Sequence, residues 1–269
     1  MKIGNREFQT KGHTYVMGIL NVTPDSFSDG GKWNDRDRAL KHVEEMIAEG
    51  MDIVDIGGES TRPWGYTLLS DEEEIARVVP MIESVKANFD IPISLDTYKS
   101  GVAEAGIRAG ANLINDIWGL KYDNRMAEVI AKSGLPCCLM HNRHGAVYED
   151  FLSELVTDME ECVRIAREAG VSDDRIILDP GVGFGKTYEM NLETIHHVDV
   201  LHRLGFPILL GTSRKSVIGL TLDLPADQRV EGTVVTTVIG VMKGCAFVRV
   251  HDIKENKRAI QMTEAILGR

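Results

Sequence analysis

A chain of 269 residues, 43% hydrophobic and 26% charged, holds ample sequence for one large core, and no Pro/Ser-rich linker or low-complexity tract divides it. A single domain over residues 1–269 is expected. The formal charge of −11 argues against sequence-independent binding to nucleic acid or to an anionic membrane, since both need clustered positive charge, and favours small-molecule chemistry.

The first 13 residues read as a small hairpin, with Gly4 and Asn5 suited to its turn, and are expected to plug the floor of a barrel. The starting segment MKIGNREF has no apolar signal core, and no run of 18 apolar residues occurs, so the cytoplasm is the expected location. Eight short apolar runs come next: VMGIL, IVDIG, ISLD, LIND, PCCLMH, RIILDPG, PILLGTS and AFVRVH. Each leads to a residue capable of chemistry, in turn Asn21, Glu59, Asp96, Asn115, His141, Asp179, Ser213 and Arg249. Between them lie stretches of helical periodicity, for example Arg36 to Glu49, Asp71 to Lys86, Asp150 to Ala169 and Gln228 to Lys243. The separations suit crossover helices between parallel strands, and uniformly apolar runs suit strands buried on both faces. Strand, tip and helix repeated eight times predict an α/β fold, a (β/α)8 TIM barrel whose active site gathers where the eight tips converge. Cys137, Cys138, Cys162 and Cys245 show no paired metal-ligand spacing and are read as reduced core residues.

The tips carry recognisable strings. Met17 to Gly31 reads M-G-I-L-N-V-T-P-D-S-F-S-D-G-G, a strand, then Asn21, then a loop with Pro24, Asp25, Phe27 and Asp29 that suits a lid. Asn21 alone would as readily cap a turn. Asp55 to Pro63 reads D-I-G-G-E-S-T-R-P, Ser94 to Thr97 S-L-D-T, and Ile114 to Ile117 I-N-D-I. Ile176 to Lys186 reads I-I-L-D-P-G-V-G-F-G-K, Gly211 to Ser216 G-T-S-R-K-S, and Val248 to Asp252 V-R-V-H-D. In this order, and over essentially the whole chain, these strings resemble the signatures of the dihydropteroate synthases of folate biosynthesis. The resemblance implies a transferase that joins 6-hydroxymethyl-7,8-dihydropterin diphosphate to p-aminobenzoate, giving 7,8-dihydropteroate and pyrophosphate.

It also implies roles at matching positions. Pterin contacts fall on Asp96, Asn115, Ile117, Met140, Asp179, Gly211 and Lys215, and diphosphate contacts on Asn21, Arg62, Arg249 and His251. The p-aminobenzoate pocket falls on Phe27, Thr61, Arg62, Pro63, Phe184, Lys215 and Ser216. Asp96, Lys215 and Arg249 carry the catalytic load, Asn21 supplies a Mg²⁺ ligand, and a homodimer is implied, with amphipathic stretches such as Glu255 to Leu267 available for its interface.

Chemistry supports these assignments independently. Asp96, Asn115 and Asp179 offer the acceptors and amide that a pterin edge requires, and carboxylates favour the cationic character that develops as the carbon–oxygen bond breaks. Strand alternation puts Arg249 and His251 on one side, where both can face an anion, with an ion pair between Arg249 and Asp252 as the alternative. Lys215 has a solvated surface position as its bland alternative, and a helix amino terminus after Ser213 is a candidate receiver for the substrate carboxylate. The string Gly181, Gly183, Gly185, Lys186, Thr187 imitates a nucleotide P-loop but has Pro180 where the first glycine must stand, so its glycines serve close backbone approach or a tight turn. His141, His144, His196, His197 and His202 form no zinc motif and are read as structural. After Pro63 the chain has Trp64, Gly65 and Tyr66 where relatives more often have glycine, which bears on loop conformation and inhibitor response rather than reaction class. The rivals are a corrinoid-linked, pterin-dependent methyltransferase, which would not need the first two loops or the anion clamp, and a non-catalytic pterin binder.

Overall fold

The computed structural model describes residues 1–22, 32–59 and 68–269. A two-stranded antiparallel hairpin, β1 (Lys2–Ile3) and β2 (Arg6–Glu7), opens the chain, with Lys2 opposite Glu7 and Ile3 opposite Arg6. Eight parallel strands come after it: β3 (Tyr15–Asn21), β4 (Ile53–Gly57), β5 (Ile93–Asp96), β6 (Leu113–Asp116), β7 (Cys137–Met140), β8 (Ile176–Asp179), β9 (Leu209–Leu210) and β10 (Phe247–Val250). Their spatial order is β8-β7-β6-β5-β4-β3-β10-β9, and a parallel bridge from Leu178 to Ile208 joins the two ends into a ring. The predicted (β/α)8 barrel is the fold of this chain.

The helices surround the ring in chain order: α1 (Lys32–Ala48), α2 (Asp71–Asn88), α3 (Ser100–Ala109), α4 (Met126–Ser133), α5 (Phe151–Ala169), α6 (Tyr188–His196), α7 (Ser216–Leu222), α8 (Val230–Met242) and α9 (Ile253–Leu267). The start of α2 shows how the sequence sets a boundary. Ser70 and Glu73 form a reciprocal capping box, and Asp71, Glu72, Glu73 and Glu74 put negative charge against the amino end of the helix dipole. Periodicity starts a helix at Gln228, but a 3₁₀ turn over Ala226–Gln228 after Pro225 delays α8 to Val230.

Period-two alternation along each strand divides the core in two. Outward residues such as Val16, Val54, Leu95, Ile114, Leu139, Leu178 and Val248 pack under the helices. Inward residues at the strand starts, Met17, Ile53, Leu113, Cys138, Ile177, Leu209 and Phe247, fill the lower barrel together with Ile3 and Phe8 from the amino-terminal segment. The Phe8 ring lies 4.8 Å from Tyr15 and 5.8 Å from Phe247, centroid to centroid, so this segment closes the floor. One inward step up four of the strands the character changes: Ile53 gives way to Asp55, Leu113 to Asn115, Ile177 to Asp179 and Phe247 to Arg249. The four cysteines are buried free thiols, and burial pushes Cys162 up to about 12.

If Phe8 seals the floor, Phe8→Ala should destabilise the fold by about 3–5 kcal/mol in denaturant titration, the usual cost of removing a buried phenyl ring. A loss below about 1 kcal/mol would show that the floor is not packed around it.

Candidate active site at the carboxyl ends of the strands

The polar upper layer of the barrel is organised around Arg249. Its Nε donates to Asp55 Oδ2 at 2.6 Å and its Nη2 to Asp96 Oδ2 at 2.7 Å, bridging β4 and β5 from β10. Asn115 Nδ2 approaches Asp55 Oδ2 at 3.4 Å. A methyl group built on Gly211 would lie 3.6 Å from Asp179 Oδ2, 3.8 Å from Arg249 Cβ and 3.9 Å from Lys215 Nζ, which places those three side chains around one point. Asp96, Asn115, Asp179, Gly211, Lys215 and Arg249, far apart in sequence, therefore line a single cup. The alternative pairing of Arg249 with Asp252 is not formed, because Asp252 binds both nitrogens of the Arg214 fork.

Burial shapes the electrostatics of the cup. It pushes the Asp96 carboxyl up to about 7, with Arg249 opposing and Asp55 reinforcing the shift, and it raises Asp179 against the pull of Lys215. It lowers Lys215 to about 8, with Asp179 opposing. Burial also works against the charge on Arg249, but Asp55 and Asp96 outweigh it and hold the guanidinium protonated. Among the described residues, the buried side-chain oxygens without a hydrogen-bond partner are Asp55 Oδ1, Asp96 Oδ1 and Ser94 Oγ. Asp55 and Ser94 are register partners on adjacent strands, so all three acceptors lie together. An unsatisfied buried oxygen costs roughly 1–3 kcal/mol, so this end of the barrel carries an uncompensated polar burden.

Beside this polar floor stands an apolar wall. Tyr98, Ile117 and Met140 form one buried cluster, with Trp118 and Phe184 packed against it. Lys215 Nζ sits 4.9 Å from the centre of the Phe184 ring and donates to the Val182 carbonyl at 2.5 Å. In the chain, Lys215 is the residue before α7, with Arg214 in a left-handed conformation at φ 57°, and Ser216 is exposed at the helix start.

The rim carries the remaining expected groups. Asn21 ends β3 half-buried, and the next residue hydrogen-bonds across to β4 through Val22 N and Gly57 O at 2.8 Å. Ser213 Oγ accepts from the His251 backbone N–H at 3.1 Å and lies 3.0 Å from His251 Nδ1, fixing the ring beside the carboxyl end of β10. Phe27, Thr61, Arg62 and Pro63 lie outside the described residues, as do Pro24, Asp25, Asp29, Trp64, Gly65 and Tyr66.

One expected tip has a different role. Glu59, read as capable of chemistry, is buried in an ion cluster: Lys99 Nζ donates to its Oε2 at 2.6 Å and to Glu74 Oε2 at 2.8 Å, and the Tyr98 hydroxyl donates to its Oε1 at 2.5 Å. Both of its oxygens are committed to protein partners, so it braces Tyr98 and the approach to α2 rather than facing a reactant. His141 is structural as read: its Nε2 lies 3.0 Å from Asp158, and burial lowers its pKa to about 4. Conversely, sequence reasoning assigns no role to Asp55, although a lone carboxylate inside the apolar run I-V-D-I-G is the available signal.

Comparison with known proteins agrees with this geometry. The model of the pterin binding enzyme family matches residues 17–251. The dihydropteroate synthase of Clostridium beijerinckii is 62% identical over 100% of both chains.

The chain belongs to the dihydropteroate synthases.

The crystal structure of the dihydropteroate synthase from Clostridium difficile in the presence of pteroic acid is 49% identical and superposes with a TM-score of 0.93, covering 95% of this chain and 98% of that one. The Xanthomonas albilineans dihydropteroate synthase with 4-aminobenzoic acid is 39% identical, with a TM-score of 0.91 and coverage of 96% and 94%. As a dihydropteroate synthase the chain is a transferase that condenses the pterin diphosphate with p-aminobenzoate and releases pyrophosphate.

The raised pKa of Asp96 has a definite sign for this synthase: below about 7 the free enzyme holds a protonated carboxyl, and above it a carboxylate able to accept two N–H groups. Measured across the neutral range, kcat/KM for the pterin diphosphate should fall as pH drops through about 7, and Asp96→Asn should lack that limb. An identical limb in the variant would remove Asp96 as its source.

Proposed function

We propose that this synthase works by dissociative displacement, with the cup holding the pterin ring while its diphosphate departs. The observation that supports this most directly is the convergence of Asp96, Asn115, Asp179, Lys215 and Arg249 at the carboxyl ends of the strands, with one oxygen of Asp96 left without a hydrogen-bond partner. A pterin edge offers N–H donors to such acceptors, and Lys215 is available to its carbonyl or ring nitrogen. As cationic character spreads from the methylene into the ring, buried carboxylates stabilise it more than the ground state. Ile117 and Met140 flank the flat ring, and Gly211 leaves room for it. Asp96, Lys215 and Arg249 are the residues that act on the reacting system.

Arg249, His251 and Asn21 stand at successive heights on the mouth and suit the diphosphate, together with Arg62. Arg249 uses Nε and Nη2 on Asp55 and Asp96, which leaves its remaining N–H groups for an anionic partner in the substrate. Among the described residues no cluster of three or more His, Cys, Asp or Glu is placed to hold a metal. Mg²⁺ carried largely by diphosphate oxygens and water, with the Asn21 amide oxygen as its protein ligand, fits this donor set and would neutralise charge on the leaving group. For p-aminobenzoate, Phe184, Lys215 and Ser216 provide the described part of the pocket, and Phe27, Thr61, Arg62 and Pro63 keep the roles that the family resemblance implies.

Assembly and location are inferred in the same way. Leu220 and Leu222 on α7, Val235 and Met242 on α8, and Met262 and Ile266 on α9 are exposed apolar side chains on neighbouring helices. A homodimer would cover them. No helix among the described residues is long and apolar enough to cross a membrane, and free buried thiols suit a reducing cytoplasm.

Purified protein given pterin diphosphate, p-aminobenzoate and Mg²⁺ should form dihydropteroate and pyrophosphate. Arg249→Lys keeps a cation beside Asp55 and Asp96 but loses the planar fork, and should weaken the pterin diphosphate by about 30-fold while sparing the pterin alcohol. Equal losses for the two ligands in a calorimetric titration would remove the diphosphate role. The paired change Val235→Glu and Met262→Glu should halve the sedimentation mass, whereas an unchanged mass would place the interface elsewhere or leave none.

A further inference from the structure

Lys186 closes the glycine run that imitates a phosphate-binding loop, and neither the pterin cup nor the diphosphate groups use it. Burial lowers its pKa to about 7 against the pull of Asp179, and as an ammonium it is fully engaged: Nζ donates to His141 Nδ1 at 2.8 Å, to the Gly181 carbonyl at 2.9 Å and to the Phe184 carbonyl at 3.0 Å. Three acceptors match the three N–H bonds of a lysine. With Nδ1 accepting, the His141 ring carries its proton on Nε2 and donates it to Asp158, whose two oxygens also bind Arg143 at 2.6 and 3.1 Å. A lysine, a histidine and a carboxylate on α5 thus form one continuous chain beneath the loop.

The loop is packed tightly against the segment after β7, and the Tyr148 hydroxyl also donates to the Gly185 carbonyl at 2.8 Å. A side chain at Gly181 would put its Cβ 1.9 Å from the His141 carbonyl, and one at Gly185 would put it 2.6 Å from the Arg143 carbonyl. Both glycines have positive φ, 68° and 54°. Backbone therefore presses on backbone; Tyr148 joins the two segments at Gly185, and Lys186 joins them at Gly181 and Phe184 through His141. The other face of the loop serves the site: Phe184 belongs to the apolar wall, and the Val182 carbonyl takes the Lys215 ammonium.

We propose that Lys186 is a positioning residue for the aromatic amine: by tying the carbonyls of Gly181 and Phe184 to His141, it fixes the Phe184 ring as a wall of the p-aminobenzoate subsite. This rests on the reading that Phe184 and Lys215 border that substrate. Lysine here keeps the end of the pseudo-P-loop for a conformational task, holding protein carbonyls where a nucleotide-binding protein would hold phosphate.

The test compares Lys186→Met, Lys186→Gln and Phe184→Ala in steady-state kinetics with each substrate varied, alongside thermal unfolding. In Lys186→Met, KM for p-aminobenzoate should rise about tenfold, the order expected for losing a charge-assisted hydrogen bond, with a much smaller change in KM for the pterin diphosphate. Lys186→Gln retains two N–H donors and should fall between, and it supplies the same comparison if the methionine variant does not fold. Equal rises in both KM values, or a lowered Tm with both KM values unchanged, would overturn the proposal and leave a lysine that only stabilises the barrel. Phe184→Ala separates the layers: if it raises KM for p-aminobenzoate and the Lys186 variants do not, only the proposal falls; if it leaves that KM unchanged, the subsite reading falls and takes the proposal with it.

Discussion

A guanidinium held between two carboxylates inside a barrel is the constraint on which the site is built. Arg249 meets Asp55 and Asp96 in a space where water is largely replaced by protein, so each charge depends on the others to remain there. The arrangement is balanced but incomplete. One oxygen of each carboxylate is left without a donor. The unmet polarity sits directly above a strongly packed apolar floor.

That division of labour is vertical. The same inward faces of the strands supply both halves: Phe247, Ile53, Ile177 and Leu113 below, Arg249, Asp55, Asp179 and Asn115 one step above. Apolar packing at the bottom fixes strand register, and register fixes which side chains meet at the top. The glycine loop after β8 extends this control sideways, since Gly181 N donates to Asp179 Oδ1 at 2.7 Å while the loop's carbonyls engage Lys186 and Lys215. The polar cup and the apolar wall are therefore mechanically connected.

Much of this is legible in the sequence, for a physical reason. Parallel strands covered on both faces leave short uniform apolar runs, and eight of them separated by helical periodicity admit few other folds. Asp96, Asn115, Asp179, Lys215 and Arg249 can be placed together because the carboxyl ends of such strands converge by geometry. Pairings set by packing angles are not legible in that way. Glu59 stands at a tip as the active residues do, yet Lys99 and Glu74, brought near by α2 and the start of α3, absorb it. Asp55 reads as one residue of a signature string because nothing in the string says which way its side chain turns. The junction of Lys186 with His141 joins two loops, and loop-to-loop contacts leave no periodic trace in a chain.

The stopper formed by Ile3 and Phe8 has a consequence for traffic. A vessel sealed at its base has one doorway, so the pterin diphosphate, the incoming amine, the expelled pyrophosphate and the finished pteroate all use the same opening. Nothing can be flushed through from behind.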